Sequence, residues 1–583
     1  MFQCYIYNLT RNNCGPVHCE DILLLVKMTA KTYKITQSDS LGRYMVAKRQ
    51  LKQGELILKE EAVLVGPHLN GPARCFKCLK TINLLMCSFC NQCNTALMCT
   101  NDCQGKHHSD DECLTLRTQK IKGQILAENP SVIFPLCCLL LGIYNPEVYE
   151  EIISMESHLE ERRNTPIWRR HKISVEDILK DTNLLTPQDL QEEVVQKICG
   201  ILDVNSIEVK CVRPANLSNL PIVDPEKQCL RGLYPKVAMI AHNCLPNAYL
   251  AADDNFSISV YAKVDIKEEA PIFINYTNVL QGNQERQLSL LEGKYFTCTC
   301  SRCRDPSELG TEISSLICHK CRKGFLRYTE LEENFQLWKC SECKQCFKDF
   351  LIKLAIEEAK RRIDDLDPTD VQQMENLYKK LLLTFHPNHY LLLGLKQALV
   401  SLYSKLPPTK SNLNRKIDLC GRLMSVFGKL EPGISRIKAL TMYELQSAIV
   451  DISNKQYRDK EIGDEELISE LQTAEKILKD SVKYLLYEPP KSPEGRMAQM
   501  GLNELKMLRN SIQSIQKDLV VSKEQQGDKK AEIARRLKEK LEKNREKTQK
   551  SCEGVITPDG GDGENGKLAK PGGKKRNKKK TVT

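Results

Sequence analysis

Cysteine spacing constrains this chain more than any other feature, because three clusters with metal-ligand spacing lie within its first 346 residues. The first runs Cys75-x2-Cys78, Cys90-x2-Cys93 and Cys99-x3-Cys103, followed by His107 or His108 and then Cys113. Seven thiols and one imidazole make two tetrahedral sites. Zinc suits them, since thiolate and imidazole match its softness and a d10 ion imposes no geometry of its own. Cys87-x2-Cys90 fits the same spacing and would leave Cys93 as the spare. The second cluster, Cys298-x-Cys300-x2-Cys303, supplies three ligands and must borrow a fourth. The third, Cys318-x2-Cys321 with Cys340-x2-Cys343, is a complete four-thiolate ribbon, with Cys346 as a competitor for the place of Cys343. A disulfide framework is the competing explanation. Paired Cys-x2-Cys repeats are the pattern of a reducing compartment, and no secretory signal is legible.

The chain has 583 residues, 41% of them apolar, enough for several cores. No run approaches the ~20 apolar residues of a membrane span. Val132 to Ile143 comes nearest and contains Pro135. The segment before Met28 has no basic start ahead of its short apolar run, Ile22 to Val26, so a signal peptide is not expected and Met28 is a candidate start. Net charge is +11, but the stretch from Lys523 onward carries 19 Lys and Arg against 10 Asp and Glu. The rest of the chain is nearly neutral, which argues against a basic nucleic-acid groove outside the tail.

Residues 33 to 66 alternate around turn signals, Ser40-Leu41-Gly42-Arg43 and Gln53-Gly54-Glu55, as short strands do. Helical periodicity fills 120 to 205, and strand character returns where Phe256, Ile258, Val260, Ala262, Val264 and Ile266 alternate. Ile272, Ile274 and Tyr276 share a face of the next strand. These pieces predict one β-domain split by insertions. Beyond the ribbon, Leu392, Leu395, Leu399 and Leu402 mark one helical stripe, and Leu419, Leu423, Val426 and Phe427 another. The tail begins as a charged helix with a thin Ile533, Leu537, Leu541 stripe. It passes into a Gly, Asp and Lys stretch ending Lys574 to Lys580, which composition predicts to be disordered. Cys137 and Cys138 read as core residues, and His386 and His389 as a packed helix junction.

Between the strands stand Gly232-Leu233-Tyr234-Pro235, Ile240-Ala241-His242-Asn243-Cys244-Leu245-Pro246-Asn247 and Ile272-Phe273-Ile274-Asn275-Tyr276, followed by the Cys-x-Cys-x2-Cys run. In this order the sequence resembles the SET and MYND domain family of lysine methyltransferases over about residues 33 to 350. The phrase Leu383-Thr384-Phe385-His386-Pro387-Asn388-His389-Tyr390 and the extra ribbon look most like an insect branch. The resemblance implies an α+β multidomain chain. Its parts are an N-terminal extension (1–32), the first part of the SET domain (33–74), a MYND zinc finger (75–113) and a helical insert (114–230). The SET core (231–297), a post-SET zinc site (298–306), a zinc ribbon (316–348), a helical TPR-like domain (349–520) and a charged, disordered basic tail (521–583) follow.

The resemblance also implies site residues. Cys244 would join Cys298, Cys300 and Cys303 on one zinc, giving about four ions in all. His242 and the backbone around it would contact S-adenosylmethionine, Phe296 would stack near its adenine, and Arg43 would sit in the cofactor-facing turn. Tyr276 matches the active-site phenol. Read from its strand pattern alone, Tyr276 is equally an ordinary half-buried strand residue. Methyl transfer from a sulfonium needs little acid-base help once the amine is neutral, so orientation and desolvation would be the enzyme's work.

Three departures from the family pattern fall at this site. Tyr44 stands where a glycine would let the backbone approach the cofactor. Ala241 removes an asparagine amide. Lys294 stands where the aromatic wall of a lysine channel is expected, and a cation there opposes a charged substrate unless it points outward. Two functions therefore compete. One is a protein-lysine methyltransferase acting on histone or other proteins. The other is a catalytically degenerate scaffold or corepressor that binds Pro-rich peptides through its finger. Direct nucleic-acid binding ranks last, membrane association is not expected, and the expected compartment is nuclear or cytoplasmic rather than secreted.

Overall fold

The computed structural model describes residues 32–69, 71–119, 121–209, 230–330 and 336–552. The N-terminal extension and the Lys574 to Lys580 cluster lie outside them.

Gly42, at φ +63°, closes the antiparallel hairpin of β1 (Tyr33–Ser38) and β2 (Gly42–Ala47). Strands β3 (Leu56–Glu60) and β4 (Leu64–Pro67) follow, and then the chain leaves the sheet for about 140 residues. When it returns, β3 pairs with β11 (Ile258–Ala262) in the order β10-β11-β3, where β10 is Ala248–Ala252. Likewise β4 pairs with β8 (Leu230–Leu233), flanked by β7 (Ile207–Val209). Strands from the two ends of the region thus complete one another, which is the split β-domain that the alternating patterns predicted. Ladder bonds from Ala47 N to Ala270 O and from Ile272 N to Met45 O, each 2.9 Å, join the first hairpin to the later strands. The core beneath holds Met45, Leu51, Ile57, Tyr234, Ile240, Val260, Ile266 and Ile272. The expected alternation over 256 to 266 is shorter than predicted. Phe256 takes a left-handed φ of 61°, and Lys263 turns inward after β11.

The intervening residues form a small finger, whose β5 (Ser88–Phe89) pairs with β6 (Leu97–Met98), and a set of helices. Finger and helices share one core: α1 (Asp110–Gln119), α2 (Ile133–Tyr144) and α3 (Val194–Asn205) contribute Leu116, Phe134, Leu140, Ile198 and Leu202. Cys137 and Cys138 lie in that core, as expected.

After α4 (Asn283–Lys294) comes a four-stranded ribbon of β13 (Leu316–Ile317), β14 (Phe325–Glu330), β15 (Gln336–Cys340) and β16 (Cys346–Lys348), paired in sequence order. Helices α5 (Asp349–Asp364), α6 (Val371–Leu381), α7 (Tyr390–Tyr403), α8 (Lys410–Leu430), α9 (Arg436–Arg458) and α10 (Asp464–Leu485) follow. Both predicted leucine stripes are buried. Ribbon and helices share a core through Trp338, whose indole N–H donates to Asp349 at 2.8 Å. The Leu383 to Tyr390 phrase lines β13: Thr384 O accepts from Ile317 N at 2.7 Å, and His386 N donates to Ser315 O at 3.0 Å. His389 is buried and its Nδ1 accepts from Leu391 N at the start of α7, the junction role expected of it.

The helical region docks on the β-domain by close backbone approach. A Cβ on Gly54 would lie 1.9 Å from the Tyr487 hydroxyl, and one on Gly433 would lie 1.9 Å from Lys263 O. Beside the second contact, Lys263 and Glu431 form a buried ion pair. Helix α11 (Pro493–Cys552) contributes Ala498 to the helical core. From Gln513 onward the chain forms a separate unit, in which Arg536 pairs with Glu532 one turn away at 2.9 Å. The Ile533, Leu537 and Leu541 stripe there is exposed.

Candidate functional site

Among the described residues, fifteen thiols and one imidazole converge in four groups, with all ligand atoms of each group within 4.8 Å. Cys75 and Cys78 meet Cys99 and Cys103, while Cys90 and Cys93 meet His108 and Cys113, so the two sites of the finger interleave along the chain. Sulfur separations are 3.8 Å for Cys75 to Cys103, 3.7 Å for Cys78 to Cys99 and 3.8 Å for Cys90 to Cys113. A tetrahedron with Zn–S bonds of about 2.3 Å has an edge of about 3.8 Å, so the donor sets fit that ion without rearrangement. The same holds in the ribbon, where Cys318 lies 3.8 Å from Cys343 and Cys321 lies 3.7 Å from Cys340.

The sequence ambiguities resolve here. Cys93 belongs to the cluster, 3.7 Å from His108 Nε2, while Cys87 turns its thiol to Leu84 O at 3.3 Å. His107 packs its ring against Phe256. Cys346 is exposed and donates weakly to Lys344 O, outside the ribbon cluster. One partner escaped the sequence reading: Glu112 accepts from His108 Nδ1 at 2.5 Å, fixing the tautomer that leaves Nε2 free for a metal. The signal was available, since a carboxylate in the first turn of a helix that begins two residues after a ligand histidine can reach back to it.

The remaining cluster is Cys244, Cys298, Cys300 and Cys303, the set in which Cys244 is the borrowed ligand. Cys244 is wholly buried, with Cys303 at 3.4 Å and Cys298 at 4.0 Å. Arg286, also wholly buried, donates to Cys244 Sγ through Nε at 3.3 Å and to Glu308 through Nη1 at 2.7 Å. Arg302 Nε reaches the same carboxylate at 2.9 Å. Four thiolates around a dication carry excess negative charge, and the two guanidinium groups offset it. No local spacing announces Arg286 or Glu308, and the sequence reading missed both.

This cluster is linked to Tyr276 through His242. Parallel pairing of β9 (Ala241–His242) with β12 (Phe273–Ile274) sets Ile274 beside His242. His242 Nδ1 accepts from Tyr276 N at 3.0 Å, and its Nε2 lies 3.3 Å from Cys244 Sγ. Burial pushes the imidazole down to about 4, so the ring is neutral and can accept that bond. The Tyr276 hydroxyl donates to Ile240 O at 2.6 Å, and burial of that end raises its pKa, yet 36% of the residue remains exposed. Tyr276 thus turns its hydroxyl inward while part of its side chain faces solvent. Phe296 packs on His242 with ring centroids 5.9 Å apart. It is brought there by Tyr295, which ends α4 in the left-handed region at φ 61° and stacks on His158.

Of the other predicted site residues, Ala241 is buried in β9, and Tyr44 is half-buried in β2. Arg43 is exposed and donates to Ser154 O at 3.3 Å. Lys294 points inward: its ammonium lies 5.5 Å from the centre of the Tyr276 ring and donates to Val204 O. Asn275 Nδ2, next to Tyr276, is buried with no hydrogen-bond partner.

This split β-fold, with Tyr276 linked through His242 to a four-thiolate cluster, coincides with a SET domain: the SET domain family model matches residues 42–277. The chain is 25% identical over 445 residues to the SET domain-containing protein SmydA-8, isoform A, of Drosophila melanogaster, covering 74% of this chain and 90% of that protein. It is 25% identical over 438 residues to the histone-lysine N-methyltransferase ASHR1 of Arabidopsis thaliana, covering 69% and 83%. It is also 24% identical over 308 residues to SET domain and MYND-type zinc finger protein 6 of Schizosaccharomyces pombe, covering 51% and 57%. The chain thus carries a SET domain over residues 42–277 and is similar over most of its length to SET domain-containing proteins of insect and plant origin.

Proposed function

We propose that this protein is a zinc-containing, S-adenosylmethionine-dependent protein-lysine methyltransferase. The observation that carries this reading is the hydrogen-bonded link from Cys244 through His242 to the main-chain N–H of Tyr276, which ties the metal cluster to the partly exposed tyrosine. Four zinc ions are the best match to the donor sets and sulfur separations. S-adenosylmethionine would supply an electrophilic methyl group. The residues present suit it: the half-exposed aromatic face of Phe296, the backbone around His242, and the buried unpartnered amide of Asn275 as a donor. Tyr276 would orient the acceptor amine, which must shed its water and its proton to react as the neutral base.

Histones are a candidate substrate class, since the Arabidopsis relative is named for them. A role in transcription, a nuclear or cytoplasmic location and Pro-rich peptide partners for the finger belong to the same proposal. A second reading, a scaffold without turnover, is favoured by two residues of the site: Ala241 offers no amide, and Lys294 brings a cation to Tyr276.

Calorimetry with S-adenosylmethionine on zinc-replete protein decides between them. Micromolar binding, with methyl transfer lost in Tyr276→Phe, is the expected result. Absence of binding at millimolar cofactor would leave the scaffold.

A further inference from the structure

Lys294 is the last residue of α4, and its side chain spans from that helix to the end of α3. Its ammonium is held by two groups. One is Val204 O, a carbonyl of the last turn of α3, where the helix leaves its acceptors unsatisfied and the dipole favours a cation. The other is the face of the Tyr276 ring, 5.5 Å from the nitrogen to the centroid. The surroundings carry mixed charge. Asp203 on α3 favours the ammonium, while Arg231 on β8 and the burial of the amine oppose it. Asp203 itself is engaged by Arg162, His171 and Arg231, at 3.1, 2.9 and 2.9 Å. Little of its charge is therefore free to hold Lys294, and the amine rests on a carbonyl and an aromatic face.

We propose that Lys294 is an internal gate of the acceptor site: its amine fills the place beside Tyr276 that an incoming lysine amine would take, and the acceptor is admitted only when Lys294 swings out. This rests on the methyltransferase reading above. A second ammonium cannot share the same ring face without like-charge repulsion and the loss of a donor to Val204 O. Lys294 is only half-buried and its four-carbon stem is flexible, so it can leave towards solvent without unfolding α4. The gate acts on the acceptor and leaves the cofactor surface of His242 and Phe296 untouched. It predicts a protein that binds cofactor normally but turns over free lysine peptides slowly until a partner or a cognate substrate draws Lys294 away.

The test uses the full chain, loaded with zinc, in three forms: unaltered, Lys294→Met and Lys294→Arg. Cofactor binding is measured by calorimetry, and methyl transfer is measured to a library of peptides with one central lysine. Opening the gate with Lys294→Met is expected to raise turnover at least tenfold with cofactor affinity within twofold of the unaltered protein, while Lys294→Arg stays slow. Should Lys294→Met fail to fold, Lys294→Gln, which keeps a donor towards Val204 O without the charge, is expected to give the same gain. Turnover at or below the unaltered level in folded Met or Gln variants that bind cofactor normally overturns the gate alone. Failure of every form to bind cofactor overturns the methyltransferase reading, and the gate with it.

Discussion

Glu112 Oε2 lies 2.5 Å from the Nδ1 of His108, and both side chains are buried. The carboxylate also accepts from Cys137 at 3.4 Å, so it is anchored from the helical insert as well as from its own helix. This pair sets how firmly the second site of the finger grips its ion.

Replacing Glu112 with Gln keeps the shape but weakens the imidazole as a donor. Metal affinity at that site is expected to fall about 10- to 100-fold, the usual cost of losing an outer partner of a ligand histidine. Competition with a chromogenic chelator reads this directly, and unchanged release kinetics would show that Glu112 is only packing.

Cys244→Ala removes the one ligand of its cluster that comes from outside the Cys298 to Cys303 run. Bound zinc, measured by elemental analysis, is expected to fall from four ions per chain to three. Because His242 touches Cys244 and bonds Tyr276, cofactor binding should be lost with the ion while the finger and ribbon stay loaded. Four ions retained would refute the assignment.

Glu431→Gln strands the buried Lys263 ammonium where the helical region meets the β-domain. Breaking one side of a buried pair costs about 3 to 5 kcal/mol, whereas replacing both residues with apolar ones of similar size is often close to neutral. Urea unfolding of Glu431→Gln beside the Lys263→Met, Glu431→Leu double variant separates the two. Equal losses would mean that the pair itself supplies net stability.

The Lys294 amine is pushed down to about 8 from its ordinary 10.5, chiefly by burial, with Arg231 acting in the same direction and Asp203 against it. The folded state therefore binds fewer protons than the unfolded state between those values. This group's contribution to stability rises with pH across that window and is flat below about 8. Unfolding midpoints at pH 7.5 and 10, compared between the unaltered protein and Lys294→Met, are expected to differ by this rise. A parallel pair of profiles would place the amine in water.

Most of the metal chemistry was legible before any coordinates. Spacings such as Cys318-x2-Cys321 and Cys99-x3-Cys103 bring ligands within reach of one ion through local backbone geometry alone. The split sheet was legible too, because alternation in 33 to 66 and again in 256 to 262 demands partners that neither stretch can find within itself. The choice of Cys93 over Cys87 and of His108 over His107 was not legible. Both members of each pair have acceptable spacing, and the tertiary contacts of His107 with Phe256 and of the Cys87 thiol with Leu84 O mark the ones that turn away.

The sequence by itself determined what is local: ligand spacing, strand alternation and the leucine stripes of α7 and α8. It also ordered the motifs closely enough to indicate the family. Tertiary structure alone decided what depends on groups far apart in the chain: the Arg286 to Glu308 contact behind the Cys244 cluster, the seating of the Leu383 to Tyr390 phrase on the ribbon, and the inward turn of Lys294. The physical reason is that a long cationic side chain at a helix end has two stable destinations, water or a buried acceptor. Only the position of Val204 O and the Tyr276 ring, set by helices and strands tens of residues away, selects between them.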